Sequence, residues 1–273
     1  FSFQQVGTNC GLIGKNAAVE VDGSAYWMSE NGFFRYTGRL ESLACLVEDY
    51  VYDDINTVPR QHIYAGLNNL FGEVTWFYPG SGAASNNRSV TYNYMDSTPE
   101  RPVWTTSTLA RSTWADSSIF GKPHGTEYDS DATSDTTVGN TDGVTIYYEH
   151  ETGVNQIKAG SSSAIAASIE SGDFDISAVQ GGGADLRGDG EYIMKIRRVL
   201  PDFLQQTGDA RVTLNLKNYP TDSQASSSLG PFTSSTTTDK IDTRARARAI
   251  SLKVDNTSTG QHWKLGTFRL DIQ

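Results

Sequence analysis

Among the residues able to carry chemistry, the sharpest arrangement is Thr243-Arg244-Ala245-Arg246-Ala247-Arg248-Ala249. On an extended strand alternate side chains share a face. Arg244, Arg246 and Arg248 then stand in one row about 6.6–7 Å apart, and the alanines line the other face. The small face lets a second sheet or backbone approach closely. The guanidinium row suits phosphates or carboxylates, which arginine grips in a forked geometry. Three roles stay open for it: a ladder of salt bridges within the subunit, a contact with acidic residues of a neighbouring subunit, or a direct contact with DNA. The same parity continues into Ile250, Leu252 and Val254. Either the row passes beneath a partner surface, or a bulge re-aims it.

Other constellations carry less. Asp53-Asp54 is a carboxylate pair, but neighbours on a helix point about 100° apart, and acid–base work on a glycosidic bond needs two converging groups. A cap or salt bridge is the expected role. Asp129, Asp131 and Asp135 lack the glutamate and glycine of a calcium loop. They are read, with Asp185 and Asp189, as solvated acids. His62, His124, His150 and His262 fall at no metal-ligand spacing. Cys10 and Cys45 are expected to be reduced, small buried residues. No nucleophile elbow, phosphate loop or dinucleotide fingerprint occurs, and no cofactor is expected. The aromatic strands at Tyr26-Trp27, Trp76-Phe77-Tyr78 and Tyr92-Tyr94 suit packing in a sheet covered on both faces, or else a sugar platform.

The elements that must position these residues are strands. The chain has 273 residues with 37% hydrophobic and 11% aromatic content, and Ser and Thr number 28 each. That is too polar for a large apolar core and too aromatic for disorder. Val74/Trp76/Tyr78, Val90/Tyr92/Tyr94 and Val144/Ile146/Tyr148 alternate with period two. Turn signals such as Glu30-Asn31-Gly32, Asn68-Asn69 and Asp142-Gly143 separate the strands at short spacing. One helix is expected in Leu43–Ile55, with Cys45, Leu46, Tyr50, Val51 and Ile55 on its buried face. Residues 126–143 and 221–238 read as loops. There is no apolar run of 18 residues, so no membrane-spanning helix is expected. The chain opens at Phe1-Ser2-Phe3 without Met, and reads as part of a longer polypeptide.

Charge divides unevenly. Residues 1–190 hold 10 basic and 24 acidic residues; residues 191–273 hold 12 and 8. The acidic part disfavours nucleic-acid binding through counterion release. The expectation is an all-β chain with a β-propeller-like domain over 1–185, incomplete at its N-terminus, and a small antiparallel β-sandwich-like domain over 186–273.

Three stretches carry a resemblance. One runs from Gly11-Leu12-Ile13 through Ala25-Tyr26-Trp27-Met28-Ser29-Glu30-Asn31-Gly32-Phe33-Phe34-Arg35-Tyr36-Thr37-Gly38. The next is Asp53-Asp54-Ile55-Asn56, Ile63-Tyr64-Ala65-Gly66, Glu73-Val74-Thr75-Trp76-Phe77-Tyr78-Pro79 and Val90-Thr91-Tyr92-Asn93-Tyr94. The last is Asp242-Thr243-Arg244-Ala245-Arg246-Ala247-Arg248 with Trp263-Lys264-Leu265-Gly266-Thr267-Phe268-Arg269-Leu270-Asp271. In this order they resemble tail nozzle, or hub, proteins of short-tailed bacteriophages. The resemblance implies a structural virion protein with no enzyme activity, assembled in the host cytoplasm. It implies a homo-oligomer, a hexameric ring around the DNA exit channel, that retains and delivers the genome. Its partners would be portal and adaptor rings, fibre or spike proteins, and genomic DNA in transit. Two rivals stand beside it. One is a tail-fibre or spike adhesin binding host glycan; the other is a glycan-degrading enzyme using Asp53 or Asp54.

Overall fold

The computed structural model describes residues 5–116, 120–129, 144–158, 160–176, 192–219, 225 and 227–273. These residues are mostly strands, in several small antiparallel sheets, with one short α-helix. The chain divides into two compact units, Phe1–Thr152 and Gly153–Gln273.

The first unit is built from three meanders. Strands β1 (Ala18–Val21), β2 (Ser24–Ser29), β3 (Gly32–Tyr36) and β4 (Leu40–Leu43) pair in chain order. Helix α1 (Glu48–Asp54) and a 3-10 turn at Arg60–His62 lead into β5 (Tyr64–Asn68), β6 (Glu73–Tyr78), β7 (Arg88–Thr98) and β8 (Arg101–Ser107), again in order. The third sheet comprises β9 (Thr113–Ala115), β10 (His124–Asp129) and β11 (Val144–Glu149). The first strands of the three sheets lie side by side, β1 against β5 and β5 against β9. The Ala65 N–H donates to the Asn16 carbonyl at 2.8 Å across the first of these junctions.

The period-two pattern explains how the sheets stack. On β6, Val74, Trp76 and Tyr78 face one way, into a core with Met28, Phe33 and Val51. Phe77 faces the other way, onto Trp114 of β9, with ring centroids 5.4 Å apart. The middle sheet is therefore covered on both sides, and its aromatics are core. Trp76 is fully buried, and its indole N–H donates to the Ala17 carbonyl at 3.0 Å, so no polar atom is orphaned by the burial. On the other side the Trp114 ring lies directly on Gly66: a Cβ there would meet the Trp114 Cγ at 2.6 Å. Only glycine permits that approach.

The expected helix is shorter than Leu43–Ile55, and its faces are reassigned. Val51 is buried, with Val47, Tyr52 and Ile55 packed against the same core, whereas Leu46 and Tyr50 are 76% and 56% exposed. The core needs Val51 inward; on the helix that turns Tyr50, about 100° away, toward solvent, while Leu46 lies in the turn before the helix and is exposed there.

The second unit begins with the hairpin β12 (Asn155–Lys158) and β13 (Ser161–Ala164), followed by β14 (Ala167–Glu170). The later strands are β15 (Met194–Leu200), β16 (Phe203–Thr207), β17 (Ala210–Lys217), β18 (Ser227–Ser234), β19 (Ile241–Ala247), β20 (Ala249–Asn256), β21 (His262–Leu265) and β22 (Arg269–Ile272). One sheet has the order β14-β20-β17-β18, a second β19-β15-β22, and β16 pairs β21. Met194, Ile196 and Val199 from β15 and Val212, Leu214 and Leu216 from β17 share one hydrophobic cluster. Clean alternation on β17 puts every second residue inside.

The division falls at residue 152 rather than near 185. Residues 167–170 pair with β20 and Phe174 bridges Ile250, so this stretch packs within the second unit. Gly181-Gly182-Gly183 and Gly188-Asp189-Gly190, the sequence signal for a boundary near 180–190, lie outside the described residues. Counted on the observed units, charge is 8 basic and 19 acidic residues in the first and 14 and 13 in the second. Two loop expectations also change. Thr126–Asp129 belongs to β10, while 130–143 lies outside the described residues, as do Asp131, Asp135, Asp185 and Asp189. Ser227–Ser234 is an edge strand, with Leu229 and Phe232 packed on the core. Its Pro231 sits where the register with β17 shifts, a place where a missing ladder N–H is tolerated. Among the described residues no helix is long and apolar enough to cross a membrane.

Candidate functional site

The alternation in β19 is complete. Ile241, Thr243, Ala245 and Ala247 are buried, and Asp242, Arg244 and Arg246 are exposed. The buried alanines allow close packing, and the Thr243 hydroxyl donates to the Ile196 carbonyl at 2.7 Å. Arg248 then sits at a bend where the chain leaves the β19 sheet and enters β20 of the other sheet. The bend resets the parity, so Ile250 and Val254 point inward although they continue the arginine register. Of the two ways out of that conflict, the chain re-aims itself. The row is accordingly two arginines on one sheet face, Arg244 and Arg246, with Arg248 half-buried at the corner. The Arg248 N–H donates to the Lys217 carbonyl at 3.1 Å.

β15 enlarges this face. Lys195 stands directly opposite Arg246 in the antiparallel register. Between Ile196 and Arg198 the register slips, so two β19 residues oppose Arg197 alone. Ile196 and Val199 both point inward, which leaves Arg197 and Arg198 on the outer side. Arg198 is neutralised by Asp242 at 3.0 Å and Asp271 at 3.5 Å. Lys195, Arg197, Arg244 and Arg246 make no ion pair among the described residues. Cross-strand neighbours of like charge repel at about 5 Å, a cost that no carboxylate among the described residues offsets by an ion pair. Among the described residues Arg244 and Arg246 form no internal salt-bridge ladder. The strand pattern Lys195-Ile196-Arg197 was visible in the sequence; its placement beside Arg246 depended on an unforeseeable register.

The remaining candidates are tied into structure. Asp54 binds Arg88 at 3.1 Å and accepts from the Ser81 N–H at 3.3 Å, while Asp53 points into solvent, so the pair does not converge. A cleft of about 400 Å³ runs between β4 and the β7–β8 end, lined by Arg35, Arg39, Glu41, Tyr92 and Tyr94. Its one carboxylate, Glu41, is held by both Arg35 and Arg39, which keep it below the usual carboxylate range. An acid so held is a poor proton donor near neutrality. His62 meets the Ala84 carbonyl, His124 stacks on Tyr147, and His150 accepts from Arg111, so these three histidines are separately engaged. Among the described residues no three His, Cys, Asp or Glu side chains form a metal site. Cys10 and Cys45 are free thiols, half-buried rather than fully buried, and burial pushes the Cys45 thiol up to about 11.

The arrangement that can act is thus a sheet face with four cations that have no ion pair among the described residues, on a chain of net charge −10. It can hold anions by charge and forked hydrogen bonds, and it offers no nucleophile or acid–base pair. Neither a protein-family model nor a curated protein matches the chain.

Proposed function

We propose that the chain is a structural subunit of a bacteriophage tail, a nozzle or hub protein that assembles into a ring around the DNA exit channel. The observation that carries the assembly reading is the un-neutralised face of Lys195, Arg197, Arg244 and Arg246. A fold that keeps like charges opposed on an open sheet spends stability on a partner. The stacking of three meanders with adjacent first strands supports a propeller-like first unit, since propeller blades are four-stranded sheets set around an axis. Two sheets sharing one core support a sandwich-like second unit. The acidic first unit suits a path on which DNA slides without adhering.

The test is electron microscopy of the purified protein and of particles carrying it. Rings of identical subunits support the reading; a monomer that captures oligosaccharide overturns it. The adhesin reading has one observation of its own. Phe120 and Tyr147 are 64% and 63% exposed, and both rings contact His124. Such an exposed aromatic set is a surface on which a sugar can stack.

A further inference from the structure

Helix α1 carries a second feature that packing does not use. Asp49, Tyr50 and Asp53 lie on the exposed side of α1, and Leu46 sits in the turn two residues before its first residue. Leu46 and Tyr50 are 76% and 56% exposed, and Asp49 and Asp53 are exposed without an ion pair among the described residues. The opposite side of the helix, through Val47 and Val51, is already committed to the core. The outer side is an apolar pair flanked by two carboxylates, with a tyrosine of the kind that anchors protein interfaces.

Resting on the ring reading above, we propose that this helix face of one copy docks on the basic β15–β19 face of the next copy. The charges are complementary: Asp49 and Asp53 meet Lys195, Arg197, Arg244 and Arg246. Apolar surface is also present on both sides, since Tyr192 and Ile193, each 49% exposed, immediately precede the basic strand. DNA is the weaker occupant of the basic face. The cations are few, and the first unit carries 19 acidic against 8 basic residues, so the chain repels phosphate. The two surfaces are different, so the contact is head-to-tail. That kind closes into a ring when the rotation between copies permits.

A paired charge reversal tests this. One full-length variant carries Arg244→Glu and Arg246→Glu; the other carries Asp49→Lys and Asp53→Lys. Circular dichroism and thermal unfolding establish that each remains folded. Mass by light scattering is read at low salt, about 0.01 M, where the Debye length is about 30 Å, and again at about 1 M, where it is about 3 Å. Each variant alone is expected to lose assembly by at least about tenfold in protein concentration, and the equimolar mixture to recover it. In the mixture each reversed surface meets a reversed partner, and each native surface a native one. Tyr50→Ala, which leaves all charges in place, is expected to weaken assembly about thirtyfold. If both reversed variants assemble like the parent, the contact is wrong and the ring reading stands. If the parent chain stays monomeric at every concentration in low salt, the ring reading fails with it. Loss of duplex-DNA binding in the arginine variant with assembly intact would reassign the face to nucleic acid.

Discussion

The third sheet of the first unit rests on a buried cation held by a neutral histidine, and this makes its stability depend on pH in a calculable way. Arg111 is 3% exposed, lies 4.0 Å over the Tyr148 ring, and meets Glu127 at 3.4 Å. Its Nε donates to His150 Nε2 at 2.9 Å, which requires that nitrogen to be unprotonated. Burial, the Arg111 charge and then the His124 charge push His150 down to about 4. An unfolded histidine titrates near 6.5. Below that pH the unfolded chain takes a proton that the folded chain refuses, so stability falls as pH drops from about 6.5 to 4 and the effect is complete below 4. Linkage over about 2.5 units gives roughly 1 kcal/mol lost by pH 5.5 and about 3 kcal/mol by pH 4. The assay is urea unfolding between pH 7 and 4, comparing the parent with His150→Gln, whose amide oxygen accepts from Arg111 without titrating. Trp114, with its ring 4.5 Å from His150, is the fluorescent reporter. The variant should lose about 3 kcal/mol less than the parent over that range. Equal slopes for the two would refute the neutral-histidine account, and carboxylates common to both would then explain any acid sensitivity.

Gly66→Ala forces a Cβ to 2.6 Å from Trp114 Cγ, and should cost about 1–3 kcal/mol in thermal or denaturant unfolding of the first unit. Trp76→Ala empties a fully buried site and orphans the Ala17 carbonyl; about 3–5 kcal/mol is expected by the same measurement. Arg246→Thr removes one of two opposed cations beside Lys195, so stability should stay level or rise by a few tenths of a kcal/mol. A clear loss would mean that Arg246 has an internal partner. Thr243→Val removes a buried hydroxyl that donates to the Ile196 carbonyl, and about 1–2 kcal/mol of destabilisation is expected on denaturant titration.

What the sequence made legible was periodicity. Val74-Trp76-Tyr78 against Phe77, and Val212-Leu214-Leu216, were readable because alternation at period two maps directly onto a two-sided sheet. What it hid was everything decided between elements. The bend at Arg248 carries neither glycine nor proline, so the sequence shows only the continued parity from Arg244 to Val254, and the conflict in that parity is the one hint of a break. The Ser/Thr-rich stretch around Pro231 looked like a loop because its strand is an edge, where polar residues and a proline are tolerated. Leu46 and Tyr50 were read as core because an apolar residue was assumed to be an inward one. That assumption fails where an apolar residue lies on the exposed side of an element, and apolar atoms make up a large part of any folded surface.

That failure and the arginine row belong to one account. With the division at residue 152 the second unit is nearly neutral, 14 basic against 13 acidic residues, so its basicity is not a property of the domain. It is a property of one sheet face, produced by the alternation of β19 and the slipped register that turns Arg197 outward. The first unit holds the opposite surplus, and α1 joins acidic with apolar exposure on one side. Two surfaces that each cost their own unit stability, and that match in charge, are better explained by each other than separately. The contact between copies is thus the economical account of both, and the mixed charge-reversal experiment is where it stands or falls.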